Sequence, residues 1–201
     1  MRAVAADIQS SEAVAAAPAW QLPDRGTVGM MSFIIAESAI FTIFVVAYLF
    51  YLGKSVTGPT PHDVLEVPVF YTICLLSSSV TIHLAGKHLE RNESRPFLAL
   101  WLVTIALGAI FMFGTAQEWR RLISEHHLTI STNLFGTTYY SLVGLHAFHV
   151  TLGLVMLTIV GWLSVADLHR ESRRIGVLSL YWHFVDVVWI VVFTVVYVIG
   201  R

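Results

Sequence analysis

Ionisable side chains inside long apolar stretches are the first feature of this sequence, because each of them could carry chemistry. One glutamate, one aspartate and four histidines lie in such stretches: Glu37, His83, His146, His149, His183 and Asp186. A charged group inside a membrane costs about 2.5–3.5 kcal/mol on insertion scales, so its presence needs a reason. The chemistry open to these residue types is proton transfer or the coordination of a metal ion or haem iron.

Glu37 stands among apolar residues that include Phe33, Ile34, Ile40 and Phe41, with no basic residue within two turns of its own helix. Burial favours a neutral carboxylic acid there unless another helix supplies a partner. Two interpretations stay open on spacing alone. Glu37 is either a carboxyl group that handles protons or a neutral acid that hydrogen-bonds a neighbouring helix as part of the packing.

The other ionisable residues form two pairs at helical spacing. His146 and His149 are three residues apart and share one helix face, and His183 and Asp186 do the same on another helix. One hypothesis is a haem or metal site between these helices. The sequence favours polar contacts between helices instead, since an aspartate one turn from a histidine can satisfy it and small residues beside the first pair indicate close packing.

Composition and hydropathy predict the elements that position these residues. Hydrophobic residues make up 56% of the 201 residues and charged residues 12%, with a mean hydropathy of +0.72, whereas soluble domains carry about 25% charged residues. A membrane-crossing helix needs about 20 apolar residues, and helices are the economical way to cross lipid. Five stretches reach this length, at 28–53, 67–86, 97–116, 136–165 and 176–200.

The sequence therefore predicts an all-α integral membrane bundle of five transmembrane helices in residues 27–201, preceded by a flexible polar tail in residues 1–26. Glu118 and Trp119 close the third span at the water boundary, where a solvated acid and an aromatic ring are ordinary, so Glu118 is a candidate interface residue. The segment EWRRLISEHHLTIST, which begins at Glu118, predicts a polar loop with a short interfacial part.

The distribution of Lys and Arg predicts the orientation in the membrane. The side that holds the N-terminus carries Arg2, Arg25, Lys87, Arg91, Arg95, Arg170, Arg173 and Arg174, and the other side carries Lys54, Arg120, Arg121 and Arg201. This bias predicts a cytoplasmic N-terminus and an external C-terminus. The near balance of 12 Lys+Arg and 13 Asp+Glu gives no reason to propose nucleic acid as a partner. A single cysteine, Cys74, excludes an internal disulfide.

Several sequence motifs resemble those of a known protein family. The ending SLYWHFVDVVWIVVFTVVYVIG at 179–200, GLHAFHVTLG at 144–153 and FIIAESAIFTIFVVAY at 33–48 closely resemble helices of subunit III of haem–copper terminal oxidases. LLSSSVTIHLA and LGAIFMFGTAQEW match the intervening helices more loosely. The resemblance covers about residues 27–200, and the motifs follow one another in the same order as in the family. The chain resembles the short bacterial form of subunit III, which begins at the glutamate-bearing helix.

The resemblance implies a function in a bacterial plasma (inner) membrane. Subunit III is a non-catalytic, multi-pass subunit of an oxidase that reduces O₂ to water and moves protons outward. It binds no haem, copper or other metal, since haem and copper belong to partner subunits I and II. It packs on subunit I near a proton-uptake route and supports proton uptake and turnover stability. Membrane lipids, bound phospholipid and a larger respiratory supercomplex are further expected partners.

By the same resemblance, Glu37 corresponds to the family's carbodiimide-reactive glutamate and is the candidate for proton uptake or gating. His146, His149, His183 and Asp186 are then polar contacts between helices. Cytochrome c is the expected electron donor, because the sequence Ala-Glu-Ser around Glu37 resembles that of subunit III in cytochrome c oxidases. The alternatives are a quinol oxidase subunit III, the homologous subunit associated with nitric oxide reductase, a free-standing b-type cytochrome and a small proton-coupled transporter.

Overall fold

Five long helices and one short helix account for most of the chain. The structure is a computed structural model that describes residues 24–55, 58–166 and 168–201, without the side chains of residues 166–171. The helices are α1 Arg25–Tyr51, α2 Pro61–Val64, α3 Val69–Glu90, α4 Ser94–Ser124, α5 Leu134–Ala166 and α6 Leu168–Phe193, and α6 continues into a π-helix, Thr194–Ile199.

The prediction of an all-α membrane fold is confirmed. The described residues contain no strand, and the five long helices are each long and apolar enough to cross a membrane. Most of the predicted N-terminal tail, residues 1–23, lies outside the described residues.

α1 lies at the edge of the bundle, against α5 and α6. Only Phe41 and Tyr48 of this helix are buried, while apolar side chains such as Ile35, 72% exposed, and Ile43, 67% exposed, point outward. At its first turn, the Asp24 side chain accepts a hydrogen bond from Gly26 N at 3.1 Å. The apolar outer face suits a helix whose surroundings are lipid or another membrane protein.

The segment between α1 and α3 carries α2, whose first turn is fixed by a capping box. The Thr60 N–H and hydroxyl both donate to the Asp63 carboxylate, at 3.4 and 2.6 Å. These hydrogen bonds hold the pKa of Asp63 below its ordinary value. Pro61 occupies the first helical position, where the missing N–H costs nothing.

Trp182 joins α6 to three other helices and is fully buried. Its indole lies against Gly108 of α4 and Gly153 of α5, where an added methyl group would be 2.8–3.0 Å from ring atoms. Its Nε1–H donates to Ser78 Oγ of α3 at 2.8 Å. Small residues that let a large ring reach the neighbouring backbone are the usual means of close packing between membrane helices. The face of α6 that carries His183 and Asp186 is thereby fixed in rotation.

α4 runs longer than the sequence predicted. It continues through Glu118 and Trp119 to Ser124, across residues that were predicted to lie in a polar loop. The added turns contain no glycine or proline, and Leu122 is fully buried, so packing extends the helix past the apolar stretch. Glu118 consequently faces a neighbouring helix rather than a loop.

Candidate functional site

Glu37 meets a histidine from another helix near the middle of the bundle. Its Oε2 lies 3.2 Å from Nε2 of His149 on α5, and the two side chains are 18% and 5% exposed. Glu37 is twelve residues after the first residue of α1, which places it about 18 Å along the helix axis. The partner that the sequence left open for Glu37 is therefore an imidazole supplied by a facing helix.

The protonation of this pair follows from the second ring nitrogen. Nδ1 of His149 is 2.8 Å from the carbonyl oxygen of Leu145, which can only accept a hydrogen bond, so Nδ1 carries a hydrogen. The contact between Nε2 and Oε2 then needs one proton between a basic nitrogen and a carboxyl oxygen. Glutamic acid with neutral imidazole and glutamate with imidazolium are the two forms that satisfy it. The pair can therefore hold one proton and exchange it between α1 and α5.

Aromatic side chains pack beside His149 of the Glu37–His149 pair. Phe41 is buried, with its ring centroid 5.1 Å from that of His149 and 6.4 Å from that of Phe184. The Tyr181 hydroxyl donates to the backbone oxygen of His149 at 2.9 Å. Tyr181 is not among the candidate residues that the sequence indicates. Its alignment with Phe184 on one face of α6 is the signal that it points into the bundle.

His183 and Asp186 are brought together through a residue that sequence reasoning did not single out. Ser79 of α3 lies between them, with its Oγ 3.0 Å from Nδ1 of His183. The same hydroxyl donates to Oδ2 of Asp186. His183 is half-buried and Asp186 is 3% exposed. The two residues therefore contact α3 through one hydroxyl group, as a chain of three hydrogen-bonded groups.

His146 differs from the other three residues in its contacts. It is 1% exposed, and neither ring nitrogen has a hydrogen-bond partner among the described residues. Its ring stacks on Trp189 of α6 at 4.9 Å and meets Phe111 of α4 edge-on at 5.9 Å. The expected polar contact is replaced by ring contacts, because the side of α5 that carries His146 meets aromatic residues. No three His, Cys, Asp or Glu side chains of the described residues are grouped as metal ligands.

Glu118 was expected as a solvated acid at the water boundary, and the structure places it against tyrosines. The Tyr197 hydroxyl lies 3.0 and 2.9 Å from its two carboxyl oxygens, and the Tyr139 hydroxyl lies 3.5 Å from that of Tyr197. The π-helix that ends α6 carries Tyr197. Such segments are often found at functional sites.

A cavity of about 390 Å³ beside Glu118 is also lined by Glu66 and Arg121. Arg121 Nη1 pairs with Glu66 Oε1 at 2.5 Å. The Arg121 guanidinium holds the pKa of Glu66 below its ordinary value. Glu66 lies between α2 and α3 and is mostly exposed, so this pair is worth little in stability.

Comparison with known proteins gives one consistent result. The family model described as cytochrome c oxidase subunit III matches residues 6–201. The chain is 39% identical over 184 residues to cytochrome c oxidase subunit 3 of Synechocystis, covering 88% of this chain and 77% of that protein. It is 31% identical to the protein of the same name from Thermostichus vulcanus, covering 94% of each.

Quinol oxidase subunits are also among the similar proteins. The chain is 33% identical over 176 residues to cytochrome bo(3) ubiquinol oxidase subunit 3 of Pseudomonas aeruginosa, covering 86% of this chain and 84% of that protein. The chain is therefore about as similar to a subunit named for a ubiquinol oxidase as to some subunits named for cytochrome c oxidases.

Proposed function

The chain belongs to the cytochrome c oxidase subunit III family, and we propose that it supports proton uptake and turnover stability in a bacterial aerobic oxidase through Glu37. Family membership makes it a multi-pass membrane subunit of a multi-subunit haem–copper oxidase. The chain itself supplies no active site in this proposal, since O₂ reduction takes place on haem and copper of partner subunits.

The contact between Glu37 and His149 is the observation that carries the proposal. A carboxyl group and an imidazole at 3.2 Å can share one proton, and the buried ring of Phe41 packs against that imidazole. Such a pair can take up a proton and release it to a neighbouring group without moving a helix. This supports the expectation that Glu37 acts in proton uptake or gating, and it gives His149 the role of the group that exchanges the proton.

The partners in this proposal are subunits I and II of the oxidase, with the N-terminus of this chain in the cytoplasm. Cytochrome c is the proposed electron donor. The Ala-Glu-Ser motif around Glu37 supports it, as do the relatives at 39% and 31% identity that are named cytochrome c oxidase subunit 3. A quinol donor is the second candidate, because a ubiquinol oxidase subunit 3 is 33% identical over most of both chains.

Purification through this chain in a mild detergent tests the assembly. We expect it to recover a haem-containing subunit and a copper-containing subunit, because a family member that binds neither group works only within the complex. Visible spectra, metal analysis and mass spectrometry identify both partners. Turnover of the same sample with reduced cytochrome c and with a quinol identifies the donor.

A monodisperse single chain would contradict this proposed assembly. A Soret band that persists after all other subunits have been removed would contradict it as well, in favour of a b-type cytochrome. Oxidation of quinol but not of cytochrome c would overturn the proposed donor and leave the rest of the proposal in place.

A further inference from the structure

A cavity of about 580 Å³ opens between α3 and α6, on the side of the bundle that holds the N-terminus of α1. Ionisable and polar groups line it, and they include His83, Lys87 and Glu90 of α3 and Ser172 and Ser179 of α6. A cavity of this size and polarity holds several water molecules. It therefore supplies hydrated, titratable groups beside two membrane-crossing helices.

The helix faces that line this cavity continue inward as the Ser79–His183–Asp186 chain. Ser79 lies four residues from His83 on α3, and His183 lies four residues from Ser179 on α6, so each is one turn deeper than a residue of the cavity. Asp186 is seven residues beyond Ser179, or about 10 Å along the helix axis. Polar side chains thus follow one another along these helix faces, as a column from the cavity lining to the buried carboxyl group.

Hydrogen bonding fixes the direction of this column. Ser79 has one hydroxyl hydrogen, which it donates to Oδ2 of Asp186, so Nδ1 of His183 must donate to Ser79 Oγ. Nε2 of His183 then presents a lone pair. Within the described residues this nitrogen makes no hydrogen bond. It is the end of the column that can accept a proton from water.

The other end of the column is suited to hold the proton. Oδ1 of Asp186 is buried and has no hydrogen-bond partner among the described residues. A buried carboxylate with an unpaired oxygen is costly, whereas the protonated carboxyl group carries no net charge. Ser79 is the sole hydrogen-bond partner of Asp186 in this part of the chain.

We propose that His183, Ser79 and Asp186 form a proton relay that loads Asp186 from the cavity between α3 and α6. A proton from hydronium binds Nε2 of His183, and the Nδ1 proton moves to Ser79 Oγ. The Ser79 proton moves to Oδ2 of Asp186. The cavity loses one proton and Asp186 gains one, and His183 ends as the other neutral tautomer. The relay consists of residues of α3 and α6 only, so it does not depend on the role proposed for Glu37.

The charged and titratable groups around the relay come from each element packed against α6. They are His83, Lys87 and Glu90 of α3, Arg173 and Arg174 at the N-terminal end of α6, His146 and His149 of α5, and Glu37 of α1. Glu37 and His149 pair with each other, and the ring of His146 is stacked on Trp189. His83, Lys87 and Glu90 line the cavity, so they set the charge at the mouth of the relay.

Infrared spectroscopy of the purified oxidase complex tests the relay. After a jump from alkaline to acid pH, the carbonyl stretching band of protonated Asp186 is expected to rise in the unaltered complex and to be absent in Asp186→Asn. Ser79→Ala is expected to slow this rise by about 10²-fold, at the low end of what a positioned proton-transfer group contributes. Ser79→Thr retains a hydroxyl group and is expected to restore the rate.

Ser77→Ala is the matched control, since Ser77 lies on the same helix and makes no side-chain hydrogen bond among the described residues. In this variant Asp186 is expected to gain its proton at the same rate as in the unaltered complex. The same rate is expected in Glu37→Gln. Equal rates for Ser79→Ala and Ser77→Ala would overturn the relay, and so would a full band in Asp186→Asn. If Asp186→Asn does not assemble, the comparison of Ser79→Ala with Ser79→Thr decides the matter.

Discussion

Replacing Glu37 by glutamine is expected to leave the oxidase assembled and to shorten its turnover lifetime by about tenfold, which corresponds to about 1.4 kcal/mol in an activation barrier. Glutamine has nearly the volume of glutamic acid, and its amide N–H can donate to Nε2 of His149, so the α1–α5 contact is kept. Its amide group neither takes up nor releases a proton near neutral pH. The number of turnovers before inactivation and the protons pumped per electron are the quantities to measure.

Glu125→Gln is the matched control for this prediction, since it removes an exposed carboxylate at the end of α4. It is expected to behave as the unaltered complex. His149→Gln is expected to match Glu37→Gln, and the double variant should be no worse than either alone because the two residues act as one unit. Loss of assembly in Glu37→Gln would show that the carboxyl group is structural. Unchanged lifetime and pumping would contradict the proposed role.

Replacing Trp182 by alanine is expected to lower the free energy of unfolding by about 3–5 kcal/mol, the range found for large aromatic residues removed from packed interiors. Trp182 is fully buried and contacts α3, α4 and α5 at once. Its removal leaves a cavity and also leaves Ser78 without its donor. Denaturant titration in mixed micelles, or the midpoint of thermal unfolding in detergent, gives the change.

A second tryptophan supplies the control for this change. Trp162 of α5 is 77% exposed, so Trp162→Ala in detergent is expected to change the free energy of unfolding by less than about 0.5 kcal/mol. Trp182→Phe keeps much of the ring but not the N–H donor, and its cost should lie between the two. Equal losses for Trp182→Ala and Trp162→Ala would mean that the contacts of Trp182 do not hold the bundle together.

The five membrane helices could be predicted from the sequence because hydrocarbon leaves few ways to satisfy the backbone. Runs of apolar residues therefore report crossing helices directly. The end of α4 was less predictable, since residues after the apolar run can continue a helix where packing favours it. Leu122 shows this, because it is fully buried among residues whose charges predicted a loop.

The partners of the candidate residues could not be predicted in the same way. Spacing gives the face of one helix, but not which other helix lies against that face or how it is rotated. Glu37 and His149 are 112 residues apart in the sequence, and Ser79 and Asp186 are 107 apart. Neither contact leaves a local pattern. The family resemblance identified Glu37, whereas the structure was needed to find Ser79.

His146 and His149 show that two residues on the same helix face can contact different neighbours. Residues three apart on an α-helix differ by about 60° in direction, which is enough for them to meet different neighbours. His149 contacts Glu37 of α1, while His146 contacts Phe111 of α4 and Trp189 of α6. Two histidines that look equivalent in the sequence therefore differ in chemistry, because one has a proton partner and the other has aromatic rings.

The π-helix at the end of α6 has a consequence for insertions and deletions in this chain. A π-helical turn holds one residue more than an α-helical turn, so Thr194–Ile199 contains the equivalent of a one-residue insertion. Removing one residue here would restore the α-helical phase and rotate the following side chains by about 100°. Tyr197 would then turn away from Glu118. We therefore expect the contact between Tyr197 and Glu118 to depend on the number of residues in this segment as well as on their types.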